Sequence, residues 1–222
     1  MANHIVKVFE IIPRTHNVRT YRVTKPAGFE FTPGQATDFS LRKAGWETEK
    51  RPFTFTCLPE DDYLEFTIKS YHDHDGVTHQ LSLAQPGDEF EISDAWGAIS
   101  YQGEGTFIAG GAGVTPFISI FRSLNRKKSI ANNKLYFSNK TEGDIILREE
   151  FEKMLGRNFI NIITSEEKTK FYKGRINAAF LKEQIKDFDQ HFYVCGPDPF
   201  NADILKFLED MGAHPESLVF EK

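Results

Sequence analysis

Phe107, Ile108, Ala109, Gly110, Gly111, Ala112, Gly113, Val114, Thr115 and Pro116 decide how the rest of this chain is read. A short apolar run, the composition of a buried strand, breaks into three glycines and then into Thr115 and Pro116, an N-cap type followed by a residue suited to the first helical position. Phe117, Ile118, Ile120, Phe121 and Leu124 continue at helical spacing. Glycines let a backbone approach an anion and take positive φ, and the N–H groups and dipole of a helix start favour negative charge. The stretch therefore has the form of a phosphate cradle. It is neither GxGxxG nor a Walker loop, since no Gly-Lys-Ser/Thr follows, and a tight strand-to-helix turn without a ligand is the competing reading.

The same alternation continues downstream. Strand-like runs at residues 106–109, 134–137, 159–164 and 192–195 alternate with helical patterns at 116–127, 145–155, 178–185 and 199–211. Phe200, Ile204, Leu208 and Met211 mark one face of the last helix. Strand and helix in alternation predict a parallel sheet with right-handed crossovers, whose ligands sit at the carboxyl ends of the strands. Gly110 to Thr115, Ser138, Asn139 and Lys140, Thr164, Ser165 and Glu166, and Cys195, Gly196 and Pro197 should therefore share one rim.

Residues 5–99 have a different rhythm, short strands separated by turn signals. Leu64, Phe66 and Ile68 place apolar side chains on one face, with Glu65, Thr67 and Lys69 on the other, as a half-buried antiparallel strand requires. The density of strands fits a six-stranded Greek-key barrel, with one short helix at residues 77–84. Two modules are expected, 1–102 and 103–222. In the first, Arg51, Pro52, Phe53, Thr54, Phe55 and Thr56 combine a guanidinium, aromatics and hydroxyls at a strand entry. Period-two alternation sends Arg51, Phe53 and Phe55 one way and Thr54 and Thr56 the other. A planar donor fork and a stacking face suit a diphosphate and a flat ring, although an ordinary strand with an exposed Arg reads the same way.

A chain of 222 residues can bury two modest cores. Its formal charge of −5 and the absence of a dense Lys/Arg block argue against nucleic acid as a partner. The first thirty residues hold no apolar run long enough for a signal peptide or membrane span, so a cytoplasmic protein is expected. Two cysteines, Cys57 and Cys195, cannot hold a four-cysteine iron-sulfur cluster. The run His72, Asp73, His74 and Asp75 reads as a solvated loop rather than a metal site, and no metal is expected.

In chain order, these motifs resemble the ferredoxin-NADP reductase superfamily, in particular its compact two-domain flavin reductases without an iron-sulfur module. The resemblance covers nearly the whole chain. It implies an antiparallel barrel binding FAD, followed by an α/β domain binding NADH or NADPH. Arg51, Pro52, Phe53 and Thr54 look like the family's Arg-x-Tyr-Ser/Thr flavin motif, implying Arg51 at phosphate, Phe53 against the isoalloxazine and Thr54 near N5. Phe53 replaces the usual Tyr and forgoes its phenolic hydrogen bond. Gly76, Val77 and Thr78 resemble the Gly-x-x-Ser/Thr turn at the FAD pyrophosphate, one residue tighter. Ile68, Lys69, Ser70 and Tyr71 match the strand whose backbone follows the cofactor, with Tyr71 placed to stack on adenine.

Gly110, Gly111, Gly113, Thr115 and Pro116 are similar to the pyridine-nucleotide loop. Cys195, Gly196 and Pro197 are similar to the Cys-Gly-Pro signature beside nicotinamide C4. Glu221 resembles the family's terminal acidic residue near N5. The resemblance thus implies hydride transfer to FAD and electron delivery to a ferredoxin, flavodoxin, oxygenase component or free flavin. Ser165 is followed by Glu166 and Glu167 rather than Arg, which favours NADH over NADPH because carboxylates repel a 2′-phosphate. The alternatives are a non-catalytic flavin-binding electron-transfer or regulatory subunit, and a nucleotide-binding module without flavin.

Overall fold

The computed structural model describes residues 2–220. Its first sheet is antiparallel and is built from β1 (Asn3–Thr15), β2 (Val18–Thr24), β3 (Ala36–Leu41), β4 (Arg51–Thr54), β5 (Tyr63–Lys69) and β6 (Glu89–Ser93). The spatial order is β4-β3-β6-β1-β2-β5. An antiparallel bridge from Phe55 to Phe66 and the Thr56 N–H donating to the Glu65 carbonyl draw the two edges together, so the sheet is a nearly closed barrel. Strand β1 is long because it bends through two register shifts and pairs β6 with one half and β2 with the other. Phe31, Phe39, Phe55, Phe66 and Phe90 fill the interior, Phe31 stacking on Phe55 with ring centroids 4.5 Å apart. Helix α1 (Val77–Ser82) ends two residues before the sequence expectation and buries Val77 and Leu81 against that interior.

The second sheet contains β7 (Gly105–Gly110), β8 (Lys134–Asn139), β9 (Phe159–Ile163), β10 (Tyr172–Lys173), β11 (His191–Cys195) and β12 (Leu218–Phe220). All its pairings are parallel, in the order β10-β9-β8-β7-β11-β12. The two edge strands were not expected from the sequence; at two and three residues they are too short to show a period. Helices α2 (Thr115–Arg126) and α3 (Arg148–Leu155) cover one face, and α4 (Ala178–Gln184) and α5 (Asp198–Asp210) cover the other. Phe107 and Ala109 accordingly enter one core while Ile108 enters the other, and both faces of β7 are apolar.

Two local expectations are corrected. Helix α3 begins at Arg148 rather than at residue 145, because Leu147 is in the left-handed region at φ 50° and breaks the regular turn. Glu65 and Thr67 do not face solvent. Both are buried: Arg122 of α2 in the second module docks on Glu65, and the Thr67 hydroxyl meets those of Thr20 and Thr56.

Candidate nucleotide and flavin crevice

The chain runs from β7 through β8 to β9 on one side and returns to β11 on the other side of β7. The carboxyl ends of β7 and β11 therefore flank a topological switch point, where open parallel sheets form a crevice. Two loops fill it. Residues 111–114 after β7 form a single tight turn of helix leading directly into α2. Thr115 is thus the first residue of α2 rather than its cap, and its hydroxyl donates to the Ala112 carbonyl at 3.0 Å. The glycines do separate work. Gly111 sits at φ +53° with open space around it, whereas a Cβ at Gly113 would lie 2.2 Å from the Cys195 carbonyl oxygen. Gly110 and Gly196 both face the Phe200 ring of α5, which a Cβ would meet at 3.3 and 2.5 Å. The glycine loop and the Cys195-Gly196-Pro197 turn are consequently in backbone contact.

These loops wall a cavity of about 950 Å³ together with residues from both modules. Gly110, Gly111, Gly113, Ser138, Asn139, Ser165, Gly196 and Pro197 line it from the second sheet, and Lys69 and Tyr71 line it from the barrel. Asn139 is 5% exposed, and neither its amide nitrogen nor its oxygen has a hydrogen-bond partner. Buried polar atoms are normally satisfied, so this pair is suited to a polar ligand. A second cavity of about 560 Å³ lies on the barrel and is lined by Trp46, Arg51, Pro52, Phe53, Tyr71, Gly76, Val77 and Thr78 among others. Tyr71, 48% exposed, belongs to both walls, so the cavities meet there.

The remaining predicted residues are placed less directly. Thr54, Ile68, Thr115, Pro116, Glu166 and Cys195 stand in neither wall. The Ile68 and Val77 side chains are core. The Phe53 ring packs edge-on against Phe39. Phe53 and Phe55 share a face as alternation requires: both pack on the barrel core, Phe55 fully buried and Phe53 partly buried, with Phe53 also reaching the cavity wall. Arg51 is exposed, donating to the Lys50 carbonyl and standing 3.5 Å from Glu49. The Thr78 hydroxyl already accepts the Tyr71 N–H at 3.3 Å. Glu166 accepts the Glu142 N–H at 2.8 Å, so one of its oxygens fastens a loop. Cys195 lies half-buried beneath Gly113. Glu221 lies outside the described residues.

Lys140, expected on the same rim, is in the wall, whereas sequence reasoning missed Trp46, Thr141, Asp144, His16 and Asn17 as wall residues. Each of these five comes from a hairpin tip or loop with no period of its own. Among the described residues no three His, Cys, Asp or Glu side chains are grouped as a metal site would need. His74 instead meets the Asp73 carboxylate at 2.8 Å, which lowers that carboxyl, and the His72 and His79 rings stand 5.1 Å apart.

Residues 107–206 match the family model described as oxidoreductase NAD-binding domain. Over its full length the chain superposes on the crystal structure of a ferredoxin NADP+ reductase from Neisseria gonorrhoeae with bound FAD and NADP. The TM-score is 0.84 at 17% identity, covering 100% of this chain and 98% of that one. The chain therefore has the fold of that ferredoxin NADP+ reductase. The chain also superposes on the CS-b5R domains of human Ncb5or in the NAD+ form, at TM-score 0.87 and 25% identity, covering 100% of this chain and 70% of that one. In sequence the chain is 28% identical over 211 residues to the flavohemoprotein of Bacillus subtilis (strain 168), covering 86% of this chain. It spans 51% of that relative's length. Among the described residues no helix of this reductase fold is long and apolar enough to cross a membrane.

Proposed function

We propose that the chain is an NAD(P)H-dependent flavin reductase, dividing near residues 102 and 103 into a flavin module and a nucleotide module and working in the cytoplasm. The observation that carries this reading is the meeting of the two cavities at Tyr71, one on the barrel and one at the switch point of the parallel sheet. The residues fit both groups: an unpartnered Asn139 amide and an open, positive-φ Gly111 on the nucleotide side, and Arg51, Phe53 and Tyr71 on the flavin side. FAD, when bound, supplies the ring that accepts a hydride and releases electrons singly or in pairs.

The protein's own contribution is position. Gly110, Gly111 and Gly113 let the backbone reach the nucleotide's pyrophosphate, and Gly196 and Pro197 bound the nicotinamide side. Arg51 offers its fork to the flavin phosphate and Phe53 its ring face to the isoalloxazine. Thr54, at the end of β4, presents a hydroxyl toward N5, and Cys195 supports the loop above it. The acceptor is a ferredoxin, flavodoxin, oxygenase component or free flavin. Lys140 stands in the nucleotide wall and Glu166 does not, so NADH and NADPH are both arms of the test.

An anaerobic titration of the FAD-loaded chain with NADH, and separately with NADPH, followed by flavin absorbance, decides the matter. Stoichiometric bleaching by either nucleotide supports a reductase. A yellow protein that neither nucleotide bleaches would show the non-catalytic electron-transfer subunit instead, and a protein that never takes up FAD would remove the flavin altogether.

A further inference from the structure

Behind the crevice, away from both cavities, lies a buried ionic knot that the proposed chemistry does not use. The Glu65 side chain on β5 is 1% exposed. Its Oε1 accepts from Arg122 Nη1 at 2.6 Å and from the Thr56 hydroxyl at 2.9 Å, and its Oε2 accepts from Arg22 Nε at 3.0 Å. Arg122 belongs to α2, in the other module. Its Nη1 also donates to the Thr56 carbonyl at 2.6 Å, while Nε and Nη2 grip both oxygens of Glu150 on α3. Burial penalises the Glu65 carboxylate, yet Arg122 and the surrounding donors hold its pKa below the ordinary glutamate value. One turn earlier on α2, the Ser119 hydroxyl accepts the Gly34 N–H of the barrel at 3.0 Å. Gly34 has no room for a side chain there: a Cβ would lie 2.4 Å from the Ile99 carbonyl oxygen.

The connectivity gives the knot a purpose. Thr56 lies two residues beyond Thr54, on the segment that leaves the flavin-facing strand. Arg122 lies seven residues beyond Thr115 on a straight helix, about 10 Å from the glycine loop at the helix start. A rigid helix thus carries the nucleotide loop at one end and is bolted to the flavin strand two turns later. Buried ion pairs contribute little net stability relative to apolar packing but are directional, and they are costly to break from one side. We propose that Arg122, through Glu65 and the Thr56 carbonyl, is a positioning residue that fixes the nicotinamide rim against the flavin strand for hydride transfer. This rests on the reductase reading.

The test uses the FAD-loaded full chain with Arg122→Gln and Arg122→Lys. Two quantities are read: the rate of flavin reduction by saturating NADH or NADPH in anaerobic stopped flow, and the exchange of the Gly34 amide, which reports the seam without any turnover. Misplacement of reacting atoms by about 1 Å costs on the order of 10²-fold in rate. Arg122→Gln should therefore slow reduction by about that factor with flavin content and nucleotide affinity little changed, and should speed Gly34 exchange roughly ten-fold as the seam opens locally. Arg122→Lys should recover part of both.

If Arg122→Gln does not fold, Glu150→Gln, which removes one side of the grip and leaves Glu65 paired, should move both readouts in the same direction. A lowered melting temperature with a wild-type reduction rate, or slowed reduction with Gly34 exchange unchanged, overturns the proposal. A wild-type protein whose flavin neither nucleotide bleaches overturns the reductase reading and this role with it, a result recognisable because it appears before any substitution.

Discussion

The rim at the ends of β7 and β11 and the rim at the start of β4 are built on opposite plans. On the nucleotide side the backbone itself is the surface: Gly113 approaches the Cys195 carbonyl and Gly110 the Phe200 ring, so side chains are excluded by space. On the barrel side the surface is made of side chains, Trp46, Arg51, Phe53 and Tyr71, standing on strand and loop backbones that any residue type could adopt. A backbone surface tolerates almost no substitution, whereas a side-chain surface changes by degrees. Between them, the Glu65 knot keeps the two rims in register.

That contrast can be broken or sharpened by substitution. The largest effect is expected at the seam. Glu65→Gln removes the buried carboxylate shared by Arg122 and Arg22, leaving Arg122 only the part-exposed Glu150, and should cost about 3 kcal/mol in urea unfolding at neutral pH. Because the folded-state pKa of Glu65 is lowered, its stabilisation is complete above the unfolded glutamate value of about 4.3 and disappears as the pH falls through the folded value. The gap between wild type and variant should therefore close on acidification; a gap that stays constant down to strongly acid pH would contradict this assignment.

Next comes Gly113→Ala. Its Cβ would meet backbone on both sides of the contact, so loop and turn must separate, and kcat/KM for the nucleotide should fall about 10²-fold with FAD binding retained. Arg51→Gln probes the opposite plan. Removing one charged donor to a phosphate should weaken FAD binding by about 1.5–3 kcal/mol, measured by fluorescence titration, with the fold intact. The smallest effect belongs to Gly111→Ala. Nothing lies within 4 Å of its Cβ position, so only the cost of φ +53° remains, about 1–2 kcal/mol in stability with kcat/KM nearly unchanged. Equal effects of Gly111→Ala and Gly113→Ala would mean that the loop does not rest on Cys195.

The same contrast explains what could be read from the residues alone. Close backbone approach demands glycine, so the switch-point loop announced itself at Gly110, Gly111 and Gly113, and the period of Phe200, Ile204 and Leu208 gave α5. The strands of the barrel followed from alternation at Leu64, Phe66 and Ile68. Alternation gave the face of Glu65 and Thr67 but not their burial, because a polar residue facing a second module, as Glu65 does, or paired with neighbouring hydroxyls, as Thr67 is, reads the same as one facing water. Trp46 and His16 belong to loop and hairpin tips with no period, and only tertiary packing brings them to a cavity. Glu166 had the right composition for a ribose contact, but its carboxylate is drawn to the Glu142 amide, a partner 24 residues away.

The most direct measurement is a crystal structure of the chain grown with FAD and an oxidised pyridine nucleotide. The account predicts the nicotinamide ring lying flat on the isoalloxazine beside Tyr71, with C4 about 3–3.5 Å from N5 and the pyrophosphate along Gly110 to Gly113. A nucleotide bound outside the crevice, or two rings held in separate cavities without a shared face, would contradict it.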